Sequence, residues 1–271
     1  MSGDPETQFL LRPGGRLAYD VRGQGPPIVC VPGVGDVRSH YDGICALLVN
    51  RGMCVVAADL RGHGDSDGTF DAFDLESMAD DFLALIDTAG GRAVLMAHGV
   101  AAAAAVLAAA RPGMRVAGLV LLAPRVRPTP TGLADRTLGA AAQWRPWGKS
   151  LWASYYRSLY PGRPPANLSE QVRHIRAALA RPGHWRAYVA LSRLSPGPAA
   201  AALERVRCRV LVVAGAKDRD RQDMADEATW LAQQVRGHRV LVPEAGHYPE
   251  AEYPEIVGPE VARFASKLQR G

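Results

Sequence analysis

The sequence predicts an α/β fold: a mostly parallel central sheet flanked by helices, with an inserted helical cap. Three observations carry this expectation. Short apolar runs recur along the chain, each of strand length, rich in Val, Leu and Ile, and most ending at Gly or Pro. Such runs are continuous where a strand with one wet face would alternate, which fits strands buried on both faces. Between them lie helix-forming stretches, and strand–helix–strand alternation implies a parallel sheet with helices on both sides.

Taken in order, "LLRPGGRLAYDVRGQG" reads as an antiparallel edge hairpin turning at Pro-Gly-Gly. The buried-strand candidates are residues 27–33, 53–60, 93–99, 118–124, 210–215 and 238–247. Among the helical stretches, residues 41–52 have helical spacing and stop at Gly52. In residues 74–91, Asp74 is placed to cap the first turn, Met78, Phe82, Leu85 and Ile86 share a face, and Gly90-Gly91 ends the helix. Residues 99–113 are alanine-rich and stop at Pro112-Gly113. The rhythm then breaks between Pro124 and about Ala202. After a Pro-rich linker, "RVRPTPTG", three helical stretches follow, and strand-like sequence resumes at Val210. The expected division is therefore a core of residues 1–124 and 203–271 with a helical cap of residues 125–202. Four of the five Trp (Trp144, Trp147, Trp152, Trp185) and Tyr155, Tyr156, Tyr160 and Tyr188 fall in that insertion. They suit cap-to-core packing and also an aromatic lining for a bulky ligand; both can hold at once.

Composition narrows the function classes. At 271 residues, with 48% apolar and 22% charged side chains, the chain is ordinary for a soluble globular protein of one large domain. The formal charge of +5 is scattered, without the basic runs that track phosphates, so nucleic acid is not an expected partner. No stretch approaches a membrane span, and the first residues lack the basic-then-apolar order of a signal peptide, so a cytoplasmic location is expected. Of the four cysteines, Cys30, Cys54 and Cys208 lie in or beside apolar runs and read as reduced core thiols. There is no C-x-x-C pair, metal-ligand cluster or phosphate loop, and no cofactor is expected.

Five segments carry chemistry. They are "VCVPGVGDVRSHYDG" (29–43), "VVAADLRGHGDSDG" (55–68), "AVLMAHGVAAAAA" (93–105), "RVLVVAGAKDRD" (209–220) and "VPEAGHYPEAEYPE" (242–255). In this order they resemble, respectively, the oxyanion loop, the D-x-R-G-x-G-x-S turn, the nucleophile elbow, the acid-bearing strand end and the histidine turn of the α/β-hydrolase superfamily. The resemblance covers nearly the whole chain. It implies a small-molecule substrate and a monomer or homodimer. It also implies that His247 takes the histidine position and Asp218 the acid position, that Val34 and Val100 offer the oxyanion amides, and that Gly99 occupies the place of the nucleophilic serine. Asp220, two residues on, is an alternative acid; Asp218 has the family's G-x-x-D spacing.

Glycine has no side-chain atom to attack with, so covalent acyl-enzyme chemistry from residue 99 is impossible. Its backbone accepts the strained turn, so the amides can survive where the alkoxide cannot. Ser39, His40 and Asp36 follow the oxyanion loop and could approach the cleft; His98 reads as a packed or hydrogen-bonded side chain; no residue reads as a substitute nucleophile. Three readings stay open. The first is an enzyme of lyase, cyclase or other non-hydrolytic type, with His247 and Asp218 as a general-base dyad acting on a bulky apolar or aromatic substrate. Arg125 would then meet an anionic or phenolic oxygen, against the plainer role of a solvated linker charge, and Trp147 and Tyr155 would face the ligand. The second is an ester or thioester hydrolase disarmed by Ser-to-Gly replacement. The third is a non-catalytic ligand-binding protein.

Overall fold

The structure, a computed structural model, describes residues 5–128 and 147–268. Its eight strands are β1 (Gln8–Arg12), β2 (Gly15–Arg22), β3 (Pro27–Val31), β4 (Cys54–Ala58), β5 (Ala93–His98), β6 (Val116–Leu122), β7 (Arg209–Gly215) and β8 (His238–Val242). They form one sheet in the order β1-β2-β4-β3-β5-β6-β7-β8. The opening hairpin pairs antiparallel, with Leu10 opposite Leu17, and β2 pairs antiparallel with β4. From β4 onwards every pairing is parallel. This is the predicted class.

Side chains alternate across the sheet with period two, and both faces are dry. Val29, Val31, Val56, Leu95, Leu119 and Val212 point into one cluster, shared with helices α2 (Leu75–Thr88), α3 (Val100–Ala110) and α8 (Met224–Gln234). Ile28, Cys30, Val55, Met96, Val120 and Leu211 point the other way, onto α1 (Asp42–Val49) and onto α10 (Pro254–Lys267), which follows the single-turn α9 (Pro249–Glu252). Asp74 caps α2 as predicted, accepting the Ser77 N–H at 2.7 Å. In α3, Ala101 to Ala105 are wholly buried; with no side chain beyond Cβ, this helix packs close to β5, β6 and α2. All four cysteines are free, Cys30 and Cys45 buried and Cys54 and Cys208 half-buried.

Most of the predicted runs overshoot the strands at their C-terminal ends. Pro32-Gly33, Asp59-Leu60 and Ala123-Pro124 leave the ladder and become loops over one edge of the sheet. The D-x-R-G-x-G-x-S turn holds that edge together. The buried Asp59 carboxylate accepts the backbone N–H of Arg38 at 2.7 Å and of Asp65 at 2.9 Å, and pairs with the Arg38 guanidinium. Arg61 ties the turn to α2 through Asp81 (2.8 Å) and the Ser77 carbonyl (3.0 Å).

Between β6 and β7 lie α4 (Gly148–Ser158), α5 (Leu168–Ala180), α6 (His184–Ser192) and α7 (Gly197–Ala202). Tyr156, Tyr160, Val172, Ile175, Trp185 and Tyr188 of this segment pack with Val37 and Tyr248 from core loops. The Trp152 ring lies against Gly35, whose φ of +86° and lack of a side chain make the approach possible; a Cβ there would sit 2.6 Å from the ring. Trp152 Nε1 donates to the Gly35 carbonyl at 2.9 Å, fixing α4 over the oxyanion loop. Ala199 and Ala202 of α7 belong instead to the cluster around α3. Trp144, the linker from residue 129 and the start of the first predicted cap helix lie outside the described residues. Helices α7, α8 and α10 were not singled out from sequence. Among the described residues, no helix is long and apolar enough to cross a membrane.

Candidate active site

The turn at residue 99 is the geometric centre of the site. β5 ends at His98, α3 begins at Val100, and Gly99 between them has φ +58° and ψ −122°. An L side chain adopts that conformation only at a cost of about 1–3 kcal/mol. Three hydrogen bonds hold it: Gly99 N–H to the Leu122 carbonyl (3.0 Å), and the amides of Ala102 (3.2 Å) and Arg125 (3.0 Å) to the Gly99 carbonyl. A Cβ built on Gly99 meets nothing within 4 Å, so the volume a side chain would fill is open.

His247 enters from the loop after β8. Its Nδ1–H donates to Asp218 Oδ2 at 2.8 Å, which leaves Nε2 as the nitrogen able to exchange a proton with a ligand. Asp218 sits in the loop after β7, three residues past the strand end at Gly215. Its Oδ1 accepts the amides of Asp220 (2.7 Å) and Arg221 (3.1 Å), so both carboxylate oxygens are fixed. Asp218, not Asp220, is thus the histidine's partner. Burial disfavours the charged imidazole, but the charges of Asp218 and Asp220, the hydrogen bond to Asp218 and the charge of Glu250 outweigh it and raise the His247 pKa to about 9.

Gly99, Val34, Val100, Arg125 and His247 all line one cavity of about 190 Å³, together with Trp152, Tyr188, Leu159, Asp220 and Arg221. Neither the Val34 nor the Val100 amide donates to another described residue, so both remain available to an oxygen in the cavity. Trp147 and Tyr155 are exposed and do not line the cavity. On α4 the inward stripe runs through Trp152 and Tyr156; Tyr155 lies about 100° round from Tyr156, and Trp147 precedes the first turn as its N-cap. Tyr155 still touches the site indirectly, donating to Asp220 Oδ1 at 2.6 Å. Trp152, Tyr188 and Tyr248 supply the aromatic lining; the first two are among the aromatics of the insertion, but nothing in the sequence separates them from their neighbours. For scale, a dry cavity of about 150 Å³ holds benzene, so this one takes a group of about one ring.

His98 is buried and neutral, its pKa lowered to about 4 by burial and by the neighbouring His247 and His40 charges. Its Nε2–H donates to the His247 carbonyl at 2.9 Å, so the side chain braces the histidine loop. Asp36 and His40 do not reach the cavity. They form a buried network beside it, in which His40 Nε2–H donates to Glu250 Oε1 at 2.9 Å and Nδ1 lies 3.2 Å from Asp36 Oδ2. Tyr156 of α4 and Gln171 of α5 donate to the same Asp36 carboxylate (3.0 and 3.2 Å), joining the insertion to the core. Burial lowers the His40 pKa, but the two carboxylates overcome it and raise it; the His40 contact in turn holds Glu250 below its ordinary range against burial.

Comparison with known proteins agrees with this geometry. Residues 28–258 match the model of the alpha/beta hydrolase family. Among curated proteins, an uncharacterized Mycobacterium bovis protein is 41% identical over 63 residues, 23% of this chain and 18% of that protein. The 2-(acetamidomethylene)succinate hydrolase of Mesorhizobium japonicum is 34% identical over 100 residues, 36% of each chain. The chain thus aligns with well under two thirds of the curated relatives it matches. Among solved structures, a putative aryl esterase from Burkholderia cenocepacia superposes with a TM-score of 0.81 at 20% identity, covering 98% of this chain and 100% of that one.

Proposed function

This chain belongs to the alpha/beta hydrolase family, and from that premise we propose that it is an enzyme acting without a covalent nucleophile, with His247 as general base. The observation that carries the proposal is a nucleophile-free elbow at Gly99 sharing one cavity with His247, whose ring Asp218 holds from behind. Neutral His247 takes a proton through Nε2 from a substrate C–H or O–H, or from water. Asp218 holds the tautomer and stabilises the imidazolium formed. The negative charge that develops on a substrate carbonyl oxygen is received by the amides of Val34 and Val100. The proton then returns from His247 to the product. Lyase, cyclase and related non-hydrolytic reactions share these steps. One curated relative is named a hydrolase and one structural neighbour a putative aryl esterase, and the same oxyanion site serves carbonyl chemistry of either kind. The lining of Trp152, Tyr188 and Leu159 suits an apolar or aromatic substrate, and helices α4–α6 act as its cap. With a pKa of about 9, roughly one His247 in a hundred is neutral at pH 7, so activity rises with pH.

The test is deuterium exchange alpha to the carbonyl of one-ring aryl ketones in D2O, followed by NMR. The wild-type protein catalyses exchange and His247→Gln does not; equal exchange by both would refute the base role.

A second reading, a serine hydrolase disarmed at residue 99, is favoured by one observation: the turn keeps a backbone that glycine does not need, with open space where an Oγ would stand. If it holds, Gly99→Ser hydrolyses p-nitrophenyl esters with a burst, and the unsubstituted protein has no conversion that depends on His247.

A further inference from the structure

We infer that the ligand of this cavity carries a carboxylate, bound by Arg125 and Arg221. The inference rests on the proposed function only in taking the cavity as the substrate site. Arg125 follows β6 and is half-buried, its backbone fixed to the Gly99 carbonyl at 3.0 Å. Arg125 lines the cavity, yet its guanidinium has no hydrogen-bond or ion-pair partner among the described residues. This sets it apart from Arg38, Arg61 and Arg127, each of which is paired with an acidic side chain.

Arg221 lines the same cavity from the loop after β7. Its side chain is 10% exposed, and two of its nitrogens are held by Asp223 at 3.0 and 2.7 Å. The third, Nη1, is buried with no partner. A guanidinium N–H shut away from water without an acceptor costs free energy until a ligand supplies one. Arg125 contributes net charge, whereas Arg221, neutralised by Asp223, contributes a directed donor. Together they present N–H groups to an anionic oxygen beside the elbow.

Asp220 sets the limit on that anion. Asp220 lines the cavity; burial pushes its pKa up, but His247, Tyr155 and Arg125 outweigh burial and hold it low, so it is ionised at neutral pH. It does not form an ion pair with Arg125 in this structure, but it opposes negative charge nearby. A monoanion is tolerated and a dianion is not, which selects a carboxylate over a phosphate. The cavity's one-ring capacity puts the carboxylate on, or one or two bonds from, the ring or apolar group that Trp152 and Tyr188 receive.

The test is calorimetric binding of benzoate, benzamide and phenyl phosphate at pH 8 to the folded full-length chain. Benzoate binds at least tenfold tighter than benzamide, phenyl phosphate is weaker than benzoate, and added salt reduces the benzoate preference. Arg125→Gln, a half-buried position whose side chain holds nothing else together, abolishes the preference while its melting temperature is unchanged. Asp220→Asn also lowers the His247 pKa, so it is compared with wild type at pH 6, where His247 is protonated in both; there it strengthens benzoate binding several-fold. Equal affinity for benzoate and benzamide, an unaltered preference in Arg125→Gln, or tighter binding of phenyl phosphate would overturn the inference. Binding needs no turnover. A lost benzoate preference with deuterium exchange still dependent on His247 sinks this inference alone, and the converse sinks the base role alone.

Discussion

Replacing Asp220 by Asn tests the electrostatics of the site at one group. Asp220 raises the His247 pKa through its charge, alongside Asp218 and Glu250, to about 9. An unfolded histidine titrates near 6.5. A folded pKa above the unfolded one means a contribution to stability that is complete below about pH 6.5 and is lost as pH rises to about 9. The difference between the two values corresponds to roughly 3 kcal/mol. The stability gap between wild type and His247→Gln therefore shrinks by about 3 kcal/mol between pH 6 and pH 10. Urea unfolding at both pH values measures it, with the ring Cε1–H followed by NMR to place the midpoint directly. Asp220→Asn moves that midpoint down while leaving the 2.8 Å bond to Asp218 in place; Asp218→Asn moves it down and also frees the ring. A wild-type midpoint near 6.5, or a His247→Gln protein with the same pH dependence as wild type, would refute this electrostatic account.

Other expectations follow from single features. Gly99→Ala meets no steric obstacle but forces an L residue to φ +58°, so it costs about 1–3 kcal/mol and lowers the melting temperature by roughly 3–10 °C in a calorimetric scan. Glu250→Gln removes a carboxylate from the buried His40 and costs about 3–5 kcal/mol in urea unfolding; the ionic reading of that network fails if the cost is below 1 kcal/mol. Asp74→Ala removes the acceptor for the Ser77 amide and costs about 1 kcal/mol, with no change at the cavity.

The fold was legible because its strands are buried on both faces and announce themselves as unbroken apolar runs. Less legible were α8 and α10. In α8 the apolar positions Met224, Ala228 and Leu231 are set among acidic and polar residues, and α10 carries Pro259 in its interior. The dyad was legible from motif spacing, since residues 218 and 247 each follow a strand that ends at the same sheet edge. What the sequence could not provide was the rotation of α4. Trp147 and Trp152, or Tyr155 and Tyr156, are equivalent in composition, and only the docking of Trp152 on Gly35 decides which face looks inward. The second carboxylate of the site, Asp220, was visible only as a competitor of Asp218. Its actual place, in the cavity wall with Tyr155 behind it, depends on that same docking.

The central claim is that His247 stands ready over a turn that lacks only a nucleophile. Intact-mass analysis after treatment with an alkyl fluorophosphonate tests it most directly. The account predicts no adduct on the wild-type protein, one adduct on Gly99→Ser, and none on the Gly99→Ser, His247→Gln double variant. A labelled wild-type chain would reveal another nucleophile, and a folded but unlabelled Gly99→Ser protein would show that the imidazole does not address residue 99.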